Sequence, residues 1–207
     1  MTESPAEWFA RVERAIESDG YRRLDWEKWP SWPFAGNLTP RALDAPADDE
    51  PLRRGAGGID CHACAAAADP GADPWTLWWD DTAMLVLPEH GAAVPFAAFL
   101  MPLGHSDLAG LPDATAARMG LLLTAIERAV IDVLAVPRIQ AMRWGDGGEH
   151  LHWWLLGRPT GALQLRGTFL SHWDDILPLA PAELTRGNGE RVAARLVELV
   201  GGNTPTR

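Results

Sequence analysis

The chain has 207 residues, 47% of them hydrophobic, which suits one domain with a sizeable core and excludes a disordered polymer. Its net charge of −10 argues against a nucleic-acid-binding surface, which needs clustered Lys and Arg, but leaves open a pocket for one small phosphorylated ligand. No apolar segment follows a basic N-terminal region, and the longest uncharged run, His90 to Ser106, is interrupted by two prolines, so neither a signal peptide nor a membrane span is read and a cytoplasmic protein is expected.

Residues 5–18 are predicted helical: Trp8, Phe9, Val12 and Ile16 fall at helical spacing and Gly20 follows as a stop. Residues 25–60, rich in Pro, Gly and Asp, read as an extended covering arm, and residues 65–74 as a turn-rich link. Residues 75–79 and 83–87 read as strands joined by an Asp80-Asp81 turn, and residues 95–101 as a third strand. Pro112-Asp113 opens the clearest helix, with Asp113 as its N-cap and Met119, Leu122, Ile126, Val130 and Val133 on one stripe. It ends near Val136-Pro137. Arg138 to Trp144 and His150 to Leu156 read as a hairpin around the turn Gly145-Asp146-Gly147-Gly148. A Pro-rich link and a final helix from about Gly189 to Val200 complete the chain. Eleven tryptophans against one tyrosine read as rings filling a core or covering a sheet. The order of elements predicts an α+β fold, a mainly antiparallel sheet with helices packed on it. Residues 1–60 form an N-terminal extension, 61–160 the core domain and 161–207 a C-terminal tail.

The chemistry concentrates in few places. In a strand from His150 to Leu156, side chains 150, 152 and 154 share one face, so two imidazoles and an indole project together. Only two cysteines exist, in Cys61-His62-Ala63-Cys64, which excludes a disulfide framework. A redox pair wants a helix start in a βαβ setting; a Gly-rich segment before and a turn-rich stretch after favour metal binding instead. Tetrahedral zinc takes thiolate and imidazole ligands, and Cys61, Cys64, His105 and His150 would make such a set. The plainer alternatives are a loop histidine at 105 and a core histidine at 150. His62, His90 and His172 show no partner pattern and read as solvent or loop residues. Asp174 and Asp175 read either as acid/base groups or as caps.

The segment His150-Leu151-His152-Trp153-Trp154-Leu155-Leu156 resembles the signature of the histidine triad (HIT) superfamily, His-φ-His-φ-His-φ-φ with φ apolar, with Trp154 in place of the third histidine. Pro102-Leu103-Gly104-His105 matches the family's Pro-x-x-His turn, residues 113–134 its long helix, and Gly145 to Gly148 the glycine-rich turn before the triad. The early Cys-x-x-Cys is similar to that of the zinc-containing branches, which include the galactose-1-phosphate uridylyltransferases. The resemblance covers residues 61–160. It implies a HIT-like fold, a zinc ion on Cys61, Cys64, His105 and His150, and His152 as the nucleophile that attacks the α-phosphorus of a nucleotide. Backbone N–H groups of Gly147 and Gly148 would then hold phosphoryl oxygens, and Arg143 and Arg158 would neutralise phosphate charge. It also implies a homodimer paired through the long helix and a sheet edge, surfaces that the two extensions are placed to cover.

Trp154 is the departure. Indole donates one hydrogen bond but cannot deliver a proton to a leaving group at neutral pH; it can stack on a base or an aromatic substrate. Three functions are compatible with this. One is a nucleotide hydrolase or nucleotidyl transferase acting through His152 with a structural zinc. Another is an enzyme of the same fold on a different, aromatic substrate, with His152 as acid/base or zinc as Lewis acid; four protein ligands would close the metal and oppose the latter. The third is a zinc-stabilised nucleotide-binding protein without turnover.

Overall fold

The structure is a computed structural model that describes residues 5–19, 34, 42 and 44–206. The side chains of Trp8, Phe9 and Val12, the residues Trp26, Trp29 and Trp32, and most of the proposed arm before residue 44 lie outside the described residues. The first helix, α1, is Pro5–Asp19, as its periodicity predicts.

Five antiparallel strands form the sheet: β1 (Thr76–Trp79), β2 (Ala83–Val86), β3 (Phe96–Pro102), β4 (Ile139–Met142) and β5 (Trp153–Gly157), in the order β1-β2-β3-β5-β4. Alternation along each strand gives the sheet two faces. Ala83, Leu85, Phe96, Ala98, Leu100 and Leu155 point to one face and join the main core. On that face lie α3 (Asp113–Val133) and α5 (Ala182–Val200), which pack on each other and on the sheet. Met119, Leu122, Ile126 and Val130 of α3 and Val192, Ala193 and Leu196 of α5 are buried there, each large side chain contributing about 1.5–3 kcal/mol. The opposite face carries Met84, Val86, Met101 and Phe99, covered in part by α2 (His62–Ala68) through Ala63, Ala66 and Ala67. Further along the same face, Ala97 and Leu156 pack with Leu170 of α4 (Leu170–Ile176).

Several boundaries differ from expectation. Of the stretch 65–74 read as a turn-rich link, residues 69–74 are turns but 65–68 belong to helix α2, which has Cys61 at its N-cap position. The hydrogen-bonded ladder of β5 begins at Trp153, not His150; residues 150–152 are an irregular lead-in. Their alternation persists nonetheless, since Leu151, Trp153 and Leu155 all face the main core. Asp113 is the first residue of α3 rather than its cap, and the preceding Pro112 offers no side-chain acceptor. Helix α5 begins seven residues earlier than the glycines at 187 and 189 suggested, and the segment read as a tail supplies part of the main core. Asp174 lies inside α4 and does not cap it; its Oδ1 accepts instead from the distant backbone N–H groups of Ala93 (2.7 Å) and Val94 (3.0 Å) before β3. No described helix is long and apolar enough to cross a membrane.

Candidate functional site

The site gathers where β3 leaves the sheet and β5 enters it. Leu100 stands opposite Trp153, so the chain running past β3 and the chain approaching β5 emerge side by side. The Leu151 N–H donates to the Ser106 carbonyl at 2.8 Å and continues the pairing beyond the ladder. This brings His105, on the turn after β3, beside His150. Helix α2 supplies the other half: Cys61 and Cys64 are three residues apart at its start, a spacing that turns both thiols to one side. One ligand atom from each of Cys61, Cys64, His105 and His150 lies within 4.8 Å of every other.

The spacing fits a metal. Cys61 Sγ is 3.6 Å from His150 Nδ1, and Cys64 Sγ is 3.3 Å from His105 Nδ1 and 3.5 Å from His150 Nδ1. A tetrahedral zinc with Zn–S near 2.3 Å and Zn–N near 2.0–2.1 Å separates sulfur and nitrogen by about 3.6 Å. Both imidazoles are also held with the correct nitrogen forward. His150 Nε2 pairs with the Pro102 carbonyl at 2.9 Å, and His105 Nε2 with Glu149 Oε2 at 3.0 Å. Donation at Nε2 leaves each Nδ1 lone pair facing the thiols, and outer acceptors of this kind orient metal-bound histidines.

The titration of the cluster follows its surroundings. Burial lowers the pKa of His150, which is 4% exposed, and so favours the neutral ring. The hydrogen bond to Glu149 raises the pKa of His105, and the same bond lowers that of Glu149. At Cys61 burial works to raise the pKa, but hydrogen bonds from the backbone and thiol of Cys64 and from His105 outweigh it and lower it. Burial and the neighbouring Cys61 push Cys64 up to about 11. The glycine-rich segment before α2 lies directly against this cluster. Gly55 has φ +73, and a Cβ there would come within 3.1 Å of Cys61 Cβ and 3.2 Å of its Sγ, so glycine is required on both counts.

His152 stands outside the four-ligand cluster. Its Nδ1 lies 2.9 Å from the His150 carbonyl oxygen. An N–H donated there leaves the lone pair on Nε2. The ring makes an edge contact with Phe99 at 5.9 Å, and Trp154 meets Phe99 edge-on at 4.5 Å and Trp144 at 5.6 Å. The imidazole thus borders an aromatic patch of which Trp144 is 47% exposed. The glycine turn reaches the same ring: a Cβ on Gly148 would lie 3.5 Å from His152 Cε1.

The arginines divide differently from the sequence reading. Arg143 pairs with Asp107 and lies across Gly145, where a Cβ would sit 2.5 Å from its Nη1. It braces the turn and is not free for a phosphate. Arg158 follows the far end of β5, about 20 Å from His152 at the rise of an extended chain, and bonds the Pro159 carbonyl. It is not part of this site. Arg53 was not anticipated: its Nη1 bonds Asp107 Oδ2 at 2.7 Å and the Gly145 carbonyl at 2.8 Å. Burial would raise the pKa of Asp107, but hydrogen bonds from Arg53, the Leu108 N–H and Arg143 bring it down to about 2. Glu149, Asp107 and Arg53 carry no motif; the one available signal is that Glu149 and Asp107 each lie within two residues of a cluster histidine. His62, His90 and His172 are exposed, as expected.

No family model matches the chain, and no curated protein matches it by sequence. Solved structures do. The chain is similar to a zinc-bound histidine triad family protein from Mycobacterium smegmatis, with 20% identity and a TM-score of 0.51 over 68% of this chain and 96% of that one. It is similar to a hypothetical histidine triad nucleotide-binding protein from Sulfolobus tokodaii strain 7, with 12% identity and a TM-score of 0.50 over 70% of this chain and 100% of that one. A uridylyltransferase mutant is matched at 17% identity and a TM-score of 0.48, over 68% of this chain and 48% of that one. The fold is the HIT-like fold that the sequence resemblance implied, an antiparallel sheet with a long helix packed on it.

Proposed function

We propose that the protein is a nucleotide hydrolase or nucleotidyl transferase in which His152 is the nucleophile and a zinc ion on Cys61, Cys64, His105 and His150 is structural. The observation that carries the reading is the 2.9 Å contact between His152 Nδ1 and the His150 carbonyl oxygen, an atom that can only accept. The Nδ1–H of His152 is held by the His150 carbonyl, and its Nε2 lone pair is left for attack. In the first step Nε2 forms a bond to the α-phosphorus while the phosphorus–oxygen bond to the leaving group breaks. The His150 carbonyl stabilises the imidazolium character that develops. Water or another acceptor then takes the nucleotidyl group from the ring. Cys61, Cys64, His105 and His150 would hold the zinc, which would tie α2, the His105 turn and the His150 segment into one unit; with four protein ligands its part would be structural. The aromatic patch of Phe99, Trp144 and Trp154 offers faces on which a base can stack. The partner is a small phosphorylated molecule, and a cytoplasmic setting suits both free thiols and nucleotide substrates.

Replacing His152 with Ala tests the reading. Turnover across a panel of nucleoside di- and triphosphates, dinucleoside polyphosphates and nucleotide sugars is expected to fall by at least about 10³-fold, the scale of a lost nucleophile, with zinc content and melting temperature unchanged. Unchanged turnover in a folded, zinc-loaded variant would contradict it. Tight nucleotide binding by the wild type with no turnover over the whole panel would select a binding protein instead.

A further inference from the structure

We propose that Arg54 is the anion-binding cation of this site and that it meets the leaving phosphate of a phosphoric anhydride. The inference rests on the nucleotidyl-transfer reading of His152. Among the described residues Arg54 is tied by its backbone to the glycine turn. Its N–H donates to the Gly147 carbonyl at 3.1 Å, its carbonyl accepts from the Glu149 N–H at 3.0 Å, and it forms an isolated parallel bridge with Gly148. The main chain is therefore fixed while the side chain is exposed. Its guanidinium lies over the turn, with Nη2 4.0 Å from where a Cβ on Gly147 would be. On the next residue, Gly148 faces the ring of His152. Arg54 and His152 are thus each set against one of two consecutive glycines of the same turn.

Three other arginines near the site or its strand are occupied or distant. Arg53 and Arg143 are both held by Asp107, and Arg158 is at the other end of β5. Arg54 makes no hydrogen bond or ion pair with any described residue through its side chain. A cation whose backbone is anchored to the turn that borders His152, and whose side chain has no partner among the described residues, suits an arriving anion.

The chemistry of Trp154 then selects the leaving group. With no proton available from indole, a group that departs as a strong base is disfavoured. A phosphate, with a second pKa of about 6, departs as an anion near neutral pH and needs only charge stabilisation. As Nε2 of His152 bonds to the α-phosphorus, the bridging phosphorus–oxygen bond breaks and its electron pair leaves on that phosphate, where Arg54 neutralises it. Water then splits the nitrogen–phosphorus bond, its oxygen passing to phosphorus and a proton to solvent. The substrate class is a nucleoside di- or polyphosphate or another nucleotidyl anhydride, rather than a nucleoside phosphoramidate.

The test compares wild type, Arg54→Gln and Arg54→Lys, all zinc-loaded, in two measurements. Pyrophosphate affinity is read by calorimetry, and kcat/KM is read for a nucleoside diphosphate and for the phosphoramidate of the same nucleoside. Arg54→Gln is expected to weaken pyrophosphate binding and to lower kcat/KM on the diphosphate by about ten- to a hundredfold, the scale of one charge-assisted contact. Arg54→Lys restores part of both, the wild type prefers the diphosphate, and melting temperature and zinc content do not move. Pyrophosphate affinity and diphosphate turnover unchanged in Arg54→Gln would overturn the role of Arg54 while leaving His152 as the nucleophile. A wild type that prefers the phosphoramidate would overturn the leaving-group assignment. Arg54-dependent pyrophosphate binding without turnover of any nucleotide would keep the anion site and remove the proposed function.

Discussion

His150, His152 and Trp154 occupy alternate positions of one short segment, and the residues around them give each a separate task. Glu149 holds His105 by its Nε2 and also accepts from the Gly57 N–H at 2.6 Å, so it anchors a residue of the candidate metal cluster and the glycine-rich cover together. Replacing Glu149 with Ala is expected to weaken zinc binding about 10- to 100-fold, the usual cost of losing an outer acceptor, as measured by competition with a chromophoric chelator. Trp154→His places a titratable ring two residues beyond His152. It is expected to raise turnover of substrates with amine leaving groups relative to the wild type, in a steady-state comparison at neutral pH, because a proton donor becomes available. That Cys61, Cys64, His105 and His150 could come together was legible in the sequence because their chemistry is intrinsic and their spacing is local or matches the family signature. Arg53, Arg54, Asp107 and Glu149 were not, because their roles exist only through contacts such as that between Arg53 and Gly145, across 92 residues. Arg143 and Arg158 were misassigned because sequence proximity to the strand does not reveal that one is already paired and the other points from its opposite end.

At the scale of elements, strands with clear alternation and the amphipathic helix α3 were readable, and the errors fall where local composition misleads. Helix α2 is a run of alanines around Cys64 that carries no apolar stripe long enough to show a period; it forms because small side chains pack closely on Met84, Val86 and Met101. The start of α5 was hidden by two glycines that normally mark a helix boundary. Gly189 is in close contact: a Cβ would sit 2.7 Å from Leu77 Cδ1 and 3.0 Å from its Cδ2, so a side chain there would force buried Leu77 to move where α5 meets β1. Gly189→Ala should therefore destabilise the protein by about 1–3 kcal/mol despite the better helix propensity of alanine, the cost of overpacking in a close-packed core. Denaturant unfolding measures it, and a stabilised variant would show that α5 and β1 do not meet as described.

The whole molecule divides by faces of its sheet. Helices α3 and α5 bury one face, where the stability of the fold resides, while the other carries α2, the aromatic patch and His152. The candidate metal cluster brings together three segments distant in sequence: the start of α2, the turn after β3 and the lead-in to β5. Removing zinc with a chelator is expected to lower the melting temperature by about 10 °C or more, since a structural zinc is worth several kcal/mol and each shifts the midpoint of a domain this size by about 2–4 °C. Because all ligands must be free of protons on the binding atom, zinc is retained less as pH falls.

The central claim, that His152 carries the nucleotidyl group, is most directly tested by intact-mass measurement of zinc-loaded protein mixed with a substrate nucleotide and quenched in alkali, where a phosphohistidine survives. The expected result is an added mass of one nucleoside monophosphate on the wild type, mapped to His152 and absent from His152→Ala. An adduct that persists in His152→Ala, or none on a wild type trapped during rapid turnover, would contradict it.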